Sequence, residues 1–266
     1  MHVRSYGGSG DLVIVIHGGP GACGYMAPVA HGLSDLFRVL EPFQRASGDE
    51  PLTVARHVED LHDLIESRCA GTHPALVGHS WGAMLALAYG AAHPGFARAL
   101  VLVGCGTFDS ATRQRMQATV EERMSLSLRR RLVQLSHEVS DPDERLRITG
   151  DLLAPLYSYE PDAAALGTES CDAAAYQQTW YDMLRLQEEG VYPAEFRRVT
   201  SPVLMLHGDH DPHPGRLIRA SLEPYLPQFE YQELEHCGHY PWLERIARAK
   251  FFAVLREWLT RRNAAA

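Results

Sequence analysis

The chain has 266 residues, 45% of them hydrophobic and 22% charged, with a net charge of −8. That composition fits an ordinary globular protein, and the length suits one large α/β domain with room for an insertion. There is no basic stripe, so nucleic acid is not the expected partner. The basic run Arg129-Arg130-Arg131 reads as a solvated helix face.

In chain order, residues 2–6 predict a short edge strand and Gly7-Gly8-Ser9-Gly10 a turn. Residues 12–16, Leu-Val-Ile-Val-Ile, are continuously apolar and β-branched, which predicts a strand buried on both faces of a parallel sheet. A helix is expected over 26–36, a strand over 37–41 and a polar loop over 42–51. A helix starting near Thr53 would place Val54, Val58, Leu61 and Ile65 on one face. A strand at 75–77, a helix over 83–92, a Pro94-Gly95 break and a strand at 99–103 complete a strand–helix alternation. Such alternation implies a doubly wound, mostly parallel sheet. From 107 to 200 the pattern is helical, with no convincing strand. The sheet pattern resumes at 203–206 and 230–234, and a helix over 246–260 buries Phe251, Phe252, Leu255, Trp258 and Leu259. The expected organisation is therefore a core in two parts, 1–106 and 201–266, around a helical lid over 107–200.

Four stretches carry chemistry. Gly78-His79-Ser80-Trp81-Gly82 follows an apolar strand and precedes a helix, the setting of a nucleophile elbow. The glycines let strand and helix close tightly, which would push the Ser80 hydroxyl out above the sheet edge. A serine hydroxyl is a poor nucleophile near neutral pH and needs a base in reach, itself oriented by a third group. After the strand at 203–206 comes His207-Gly208-Asp209-His210-Asp211-Pro212; Asp211 is the preferred acid, because a turn at Gly208 would carry it past the strand end, and Asp209 is the alternative. After 230–234 comes Glu235-His236-Cys237-Gly238-His239-Tyr240-Pro241, with His239 the preferred base and His236 the alternative. His207, His210 and His213 match none of the common metal-ligand spacings, and no metal is expected. The glycine-rich His17-Gly18-Gly19-Pro20-Gly21 can offer a backbone N–H to a developing oxyanion, Gly19 being preferred, with the N–H of Trp81 as the second donor.

Taken together, HGGPG at 17–21, GHSWG at 78–82, HGDHD at 207–211 and GHYPWLE at 238–244 resemble the α/β-hydrolase superfamily, and within it the proline iminopeptidase-like branch. The resemblance implies Ser80 as nucleophile, Asp211 as acid, His239 as base, oxyanion donors at Gly19 and Trp81, and hydrolysis without a cofactor. The branch usually carries D-Q-R-G-x-G-x-S; here residues 41–48 keep Gln44, Arg45 and Gly48 but have Phe43 in place of the Asp.

The functional expectation is a serine hydrolase cleaving a small ester or amide through an acyl-enzyme. A proline iminopeptidase-type aminopeptidase is the alternative, and lyase, thioesterase or acyl-transfer chemistry on the same triad is a further one. Substrate contacts are expected from Gly18, Trp180, Tyr181 and Glu188. An aminopeptidase would pair the substrate ammonium with lid carboxylates, for which Glu160, Asp182, Glu188, Glu189 and Glu195 are available. The five cysteines, Cys23, Cys69, Cys105, Cys171 and Cys237, form no C-x-x-C pair and read as reduced thiols. No stretch has the length and apolarity of a membrane span, and residues 1–8 do not read as a signal peptide; a cytoplasmic setting and no membrane partner are expected.

Overall fold

The computed structural model describes residues 1–69, 71–162 and 167–263. The first part runs β1 (Val3–Tyr6), β2 (Leu12–Ile16), β3 (Ala22–Cys23), α1 (Ala27–Leu33), β4 (Arg38–Pro42), α2 (Val54–Arg68), β5 (Ala75–His79), α3 (Trp81–Ala92) and β6 (Ala99–Val103). Then come α4 (Ser110–Arg123), α5 (Leu126–Glu138), α6 (Pro142–Leu153), β7 (Ser170–Cys171) and α7 (Ala173–Glu188), with 3-10 turns at Ala154–Tyr157 and Ala194–Arg198. The chain closes with β8 (Val203–Gly208), α8 (Gly215–Leu222), β9 (Phe229–Leu234) and α9 (Arg248–Asn263).

Seven strands form one sheet in the order β1-β4-β2-β5-β6-β8-β9. β1 lies antiparallel on β4, and every other neighbouring pair is parallel. Every residue of β2, β5, β6 and β8 is buried, which is why these strands read as unbroken apolar runs rather than as alternating ones. Alternation instead sorts their side chains between two cores. Leu12, Ile14, Ile16, Leu76, Leu100 and Leu102 face α2, α3 and α8. Val13, Val15, Val77, Val101 and Val103 face α1 and α9, where Phe251, Leu255 and Trp258 pack. A fully buried side chain of this size contributes ~1.5–3 kcal/mol relative to exposure.

The helices of 107–200 are tied to the core by polar clamps at helix ends. Thr53 caps α2 by its hydroxyl accepting from Arg56 N–H at 3.1 Å, and Asp182 of α7 accepts from Val54 N–H at 2.8 Å, so a carboxylate meets the same positive helix start. Asp172 caps α7 through Ala175 N–H at 2.8 Å and also holds Ser47 through its N–H at 2.7 Å.

The expectation of no strand between 107 and 200 is corrected. β7 pairs antiparallel with β3, Ala22 opposite Cys171 and Cys23 opposite Ser170. A two-residue ribbon has no periodicity to read, since it is made by a long-range contact and not by local pattern. Three boundaries also shift: α1 stops at Leu33, Pro42 closes β4 rather than opening a loop, and the last helix starts at Arg248. Among the described residues no helix is long and apolar enough to cross a membrane.

Candidate active site

Ser80 sits between β5 and α3 with φ 53° and ψ −115°, a backbone conformation that costs a non-glycine residue energy. Its neighbours make the turn possible. A Cβ on Gly78 would lie 2.2 Å from the Gly82 carbonyl oxygen, and one on Gly82 would lie 2.3 Å from that of Ile16. Strand, turn and helix can approach this closely only with glycine at both positions. Ser80 N–H donates to Val103 O at 2.8 Å, which pins the elbow to β6.

Two backbone N–H groups border the same place. Trp81 opens α3, so its N–H has no partner within the helix. Gly19 stands at φ +50°. Neither N–H donates to a protein group among the described residues. Gly18 is different. Its N–H is spent on Tyr25 Oη at 2.6 Å, and a Cβ there would meet His79 O and Ser80 Cβ at 2.7 Å.

Asp211 lies past the end of β8, buried, with both carboxylate oxygens engaged. Oδ2 accepts from His239 Nδ1 at 2.6 Å. Oδ1 accepts from His213 N–H at 2.9 Å and lies 3.0 Å from His213 Nδ1. Burial by itself would raise the Asp211 pKa, but the surrounding imidazoles of His239, His213 and His207 hold it well below the usual carboxylate range. Burial lowers the His239 pKa, against the raising effect of Asp211, so the imidazole is neutral at neutral pH. A neutral ring that donates Nδ1–H to Asp211 keeps Nε2 as an available base. His239 and Ser80 line one cavity; no hydrogen bond joins the Ser80 hydroxyl to His239 among the described residues, a looseness common before substrate binds.

The alternatives fall elsewhere. Asp209 is exposed and accepts from Cys237 N–H at 3.1 Å. His236 is exposed, at φ 54°, against the Tyr159 ring. His207 Nε2 bonds His213 O at 2.9 Å, and His210 packs on Tyr159. The side chains that do converge within metal-ligand reach are Asp211, His213 and His239, already bonded to one another.

Several supports have roles that the motif reading does not assign. Tyr25 Oη, besides taking the Gly18 N–H, meets His79 Nδ1 at 2.8 Å, and His79 Nε2 meets His239 O at 2.9 Å. Burial, reinforced by His239, holds the His79 pKa well below its ordinary value, so the ring is neutral. One tautomer satisfies the chain: Nε2–H donates to His239 O, and Nδ1 accepts from Tyr25. Gln44 is the second support. Its N–H reaches His17 Nε2 at 3.1 Å, its Nε2 donates to His17 O at 2.8 Å, and its Oε1 accepts from Trp81 Nε1 at 2.7 Å. The 17–21 turn is thereby tied both to the elbow and to the histidine loop. Glu244, fully buried, accepts from Gly238, Tyr159 and Glu160 N–H groups at 2.9, 2.8 and 2.7 Å, which joins the histidine loop to the 107–200 segment.

The cavity has a volume of about 520 Å³. Gly19, Ser80 and His239 form its floor, and Met116, Leu146, Tyr157, Trp180 and Leu184 much of its opposite wall. Of the four residues expected to touch substrate, Trp180 alone lines it. Tyr181 is 75% exposed, and Glu188 points to solvent near the end of α7. The lining row is Tyr176, Trp180, Leu184, four residues apart on one face; Tyr181 is one residue further, about 100° round the helix. Gly18 is buried beneath the floor.

The chain shares 28% identity over 109 residues with cis-3-alkyl-4-alkyloxetan-2-one decarboxylase of Shewanella oneidensis, covering 38% of this chain and 34% of that protein. It shares 29% over 125 residues with proline iminopeptidase of Saccharolobus solfataricus, covering 43% and 40%. These two matches thus span well under half of either relative. A third, 26% identical over 243 residues to 2-(acetamidomethylene)succinate hydrolase of Mesorhizobium japonicum, covers 85% of this chain and 81% of that one. Among solved structures, a thermophilic esterase from Thermogutta terrifontis superposes with a TM-score of 0.67 at 20% identity, covering 98% of this chain and 93% of that one. The sequence profile described as "Alpha/beta hydrolase family" matches residues 13–253, and the chain belongs to that family.

Proposed function

We propose that this protein is a serine hydrolase that cleaves a small ester or amide through an acyl-enzyme. The observation that carries the reading is the Asp211–His239 bond at 2.6 Å on the floor of the cavity that Ser80 also lines, from a strained elbow. His239 Nε2 takes the proton as Ser80 Oγ attacks the carbonyl carbon. The Gly19 and Trp81 N–H groups receive the oxyanion, each such donor being worth about 3 kcal/mol in the transition state. The tetrahedral intermediate collapses, the C–O or C–N bond breaks, and His239 returns the proton to the leaving group. A water molecule then repeats the sequence on the ester carbon of acyl-Ser80, releasing the acid and restoring the hydroxyl. Asp211 holds the tautomer throughout.

Supporting this reading is the family membership, with a relative named as a hydrolase matching over most of both chains. The local match to a proline iminopeptidase favours an aminopeptidase, but the cavity offers that substrate's ammonium little. Glu160, Asp182, Glu188, Glu189 and Glu195 are absent from its lining, and all but Glu188 are already paired with an arginine. Lyase, thioesterase and acyl-transfer chemistry would use the same floor. A fluorophosphonate probe is expected to label the wild-type chain at Ser80, read by peptide mass spectrometry, and to leave Ser80→Ala unlabelled. A folded wild-type protein that stays unlabelled would overturn the proposal.

A further inference from the structure

We propose that the cavity selects substrates bearing a carboxylate and that Arg113 is the residue that reads it; this rests on the hydrolase reading above only for the turnover half of the test. Besides the histidines, the charged side chains lining the cavity are Arg113, Arg147 and Asp151. Arg147 is spent: its guanidinium grips Glu144 through two bonds at 2.8 and 2.7 Å and Asp151 at 3.0 Å. Asp151 is spent by the same contact. The Arg113 guanidinium has no carboxylate within 4.0 Å among the described residues, and its one hydrogen bond there goes to the neutral Oε1 of Gln187.

Gln187 is itself oriented. Its Nε2 donates to Thr107 O at 3.1 Å, on the loop after β6, and only that amide orientation leaves Oε1 for Arg113. The guanidinium is therefore held in place by a group that does not neutralise it. It has five N–H donors, and Gln187 takes one. Around it the wall is largely apolar, with Met116, Leu146, Leu153, Trp180 and Leu184. A half-buried cation in such a wall, positioned and unneutralised, is matched by an anion, and guanidinium geometry favours a two-oxygen partner such as a carboxylate. A sphere of the cavity's volume is roughly 10 Å across, so the carboxylate would sit a few carbons from the scissile carbonyl. Half-esters and half-amides of short dicarboxylic acids are the substrate class this describes.

Two measurements test it. In the Ser80→Ala background, monomethyl adipate binding is followed by calorimetry with Arg113 present and with Arg113→Met added. Binding is expected to weaken about tenfold or more in the Met variant and to recover in part with Arg113→Lys, which keeps the charge but loses the fork. Equal binding in all three overturns the inference. In the wild-type background, kcat/KM is compared for mono-4-nitrophenyl adipate and 4-nitrophenyl hexanoate, esters of equal acyl length with and without the anion. The adipate-to-hexanoate ratio is expected to exceed one and to fall about tenfold in Arg113→Met; a ratio that does not move overturns the inference while leaving the hydrolase reading intact. Arg113-dependent binding without turnover of either ester would have the opposite meaning, sustaining the carboxylate site and counting against the hydrolase.

Discussion

Helix α3, through its N-cap Ser80, and helix α6 meet the same cavity and are built in opposite ways. From Trp81 to Ala91 every residue of α3 is buried, and its N-cap is Ser80. In α6 no residue is buried, although Leu146, Arg147, Thr149, Gly150, Asp151 and Leu153 all border the cavity. One wall is set by the packing of the whole sheet; the other rests on exposed ion pairs and half-buried side chains, each worth little by itself. The contrast suggests a division of labour in which a rigid side holds the reacting groups and a soft side adjusts to what is cleaved.

The comparison breaks first if chemistry does not live on the rigid side. Ser80→Ala is expected to lower kcat on any ester that is turned over by about 10⁴-fold or more, and Asp211→Asn by about 10⁴-fold through loss of the His239 tautomer. Asp209→Asn, at an exposed carboxylate bonded only to Cys237 N–H, should cost less than about tenfold in the same assay. The acid limb of kcat/KM should lie below pH 6.5, since burial lowers the His239 pKa and protonation removes the base.

Stability is the next place to look. Leu87→Ala, in a fully buried position of α3, should cost about 2–5 kcal/mol in urea unfolding. Acid should destabilise the rigid side in particular. Burial pushes His17 and His57 down to about 4, so between pH 6.5 and 4 the unfolded chain binds protons the folded chain refuses. Stability from these two groups is complete above pH 6.5 and is lost as pH falls toward 4, on the order of 3 kcal/mol each. His57→Gln should flatten that slope in unfolding measured at stepped pH. The smallest effect belongs to the soft wall. Leu146→Ala is expected to change stability by less than about 1 kcal/mol while shifting acyl-chain preference across a series of 4-nitrophenyl esters; an unchanged preference would remove α6 from substrate reading.

The same contrast explains what the sequence could tell. Strands buried on both faces advertise themselves as apolar runs, and the elbow glycines are forced by close backbone approach, so the sheet, the turn at Ser80 and the loops bearing Asp211 and His239 were legible by residue. The preference for Asp211 over Asp209 followed from the turn at Gly208, and the structure has Asp211 beside His239. The chemical roles are what the kinetic predictions test. Tyr25 carries no local signature, and although His79 and Gln44 lie in quoted motifs, their supporting roles do not show there, because each acts through a partner distant in sequence. On α7 the row of Tyr176, Trp180 and Leu184 can be read by spacing; Trp180, expected on it, lines the cavity, whereas Tyr181, off that row, and Glu188, beyond the cavity, do not. Arg113 escaped notice because nothing in an exposed-looking helix announces a cation left without a counter-charge.

The ribbon of β3 and β7 has one more implication. Ala22 pairs with Cys171, and Asp172 N–H donates to Gly21 O at 2.7 Å, so the ribbon joins the glycine turn that contributes Gly19 to the floor directly to the start of α7. Displacing the amino end of α7 means unzipping that ribbon and tugging the turn with it. Breathing of the roof at this end would therefore disturb the very amides beneath it, and α6 shares that linkage, since Asp143 accepts from Ala173 N–H at 2.8 Å beside Asp172 and the turn after α6 accepts the His239 N–H on Tyr157 O at 2.7 Å.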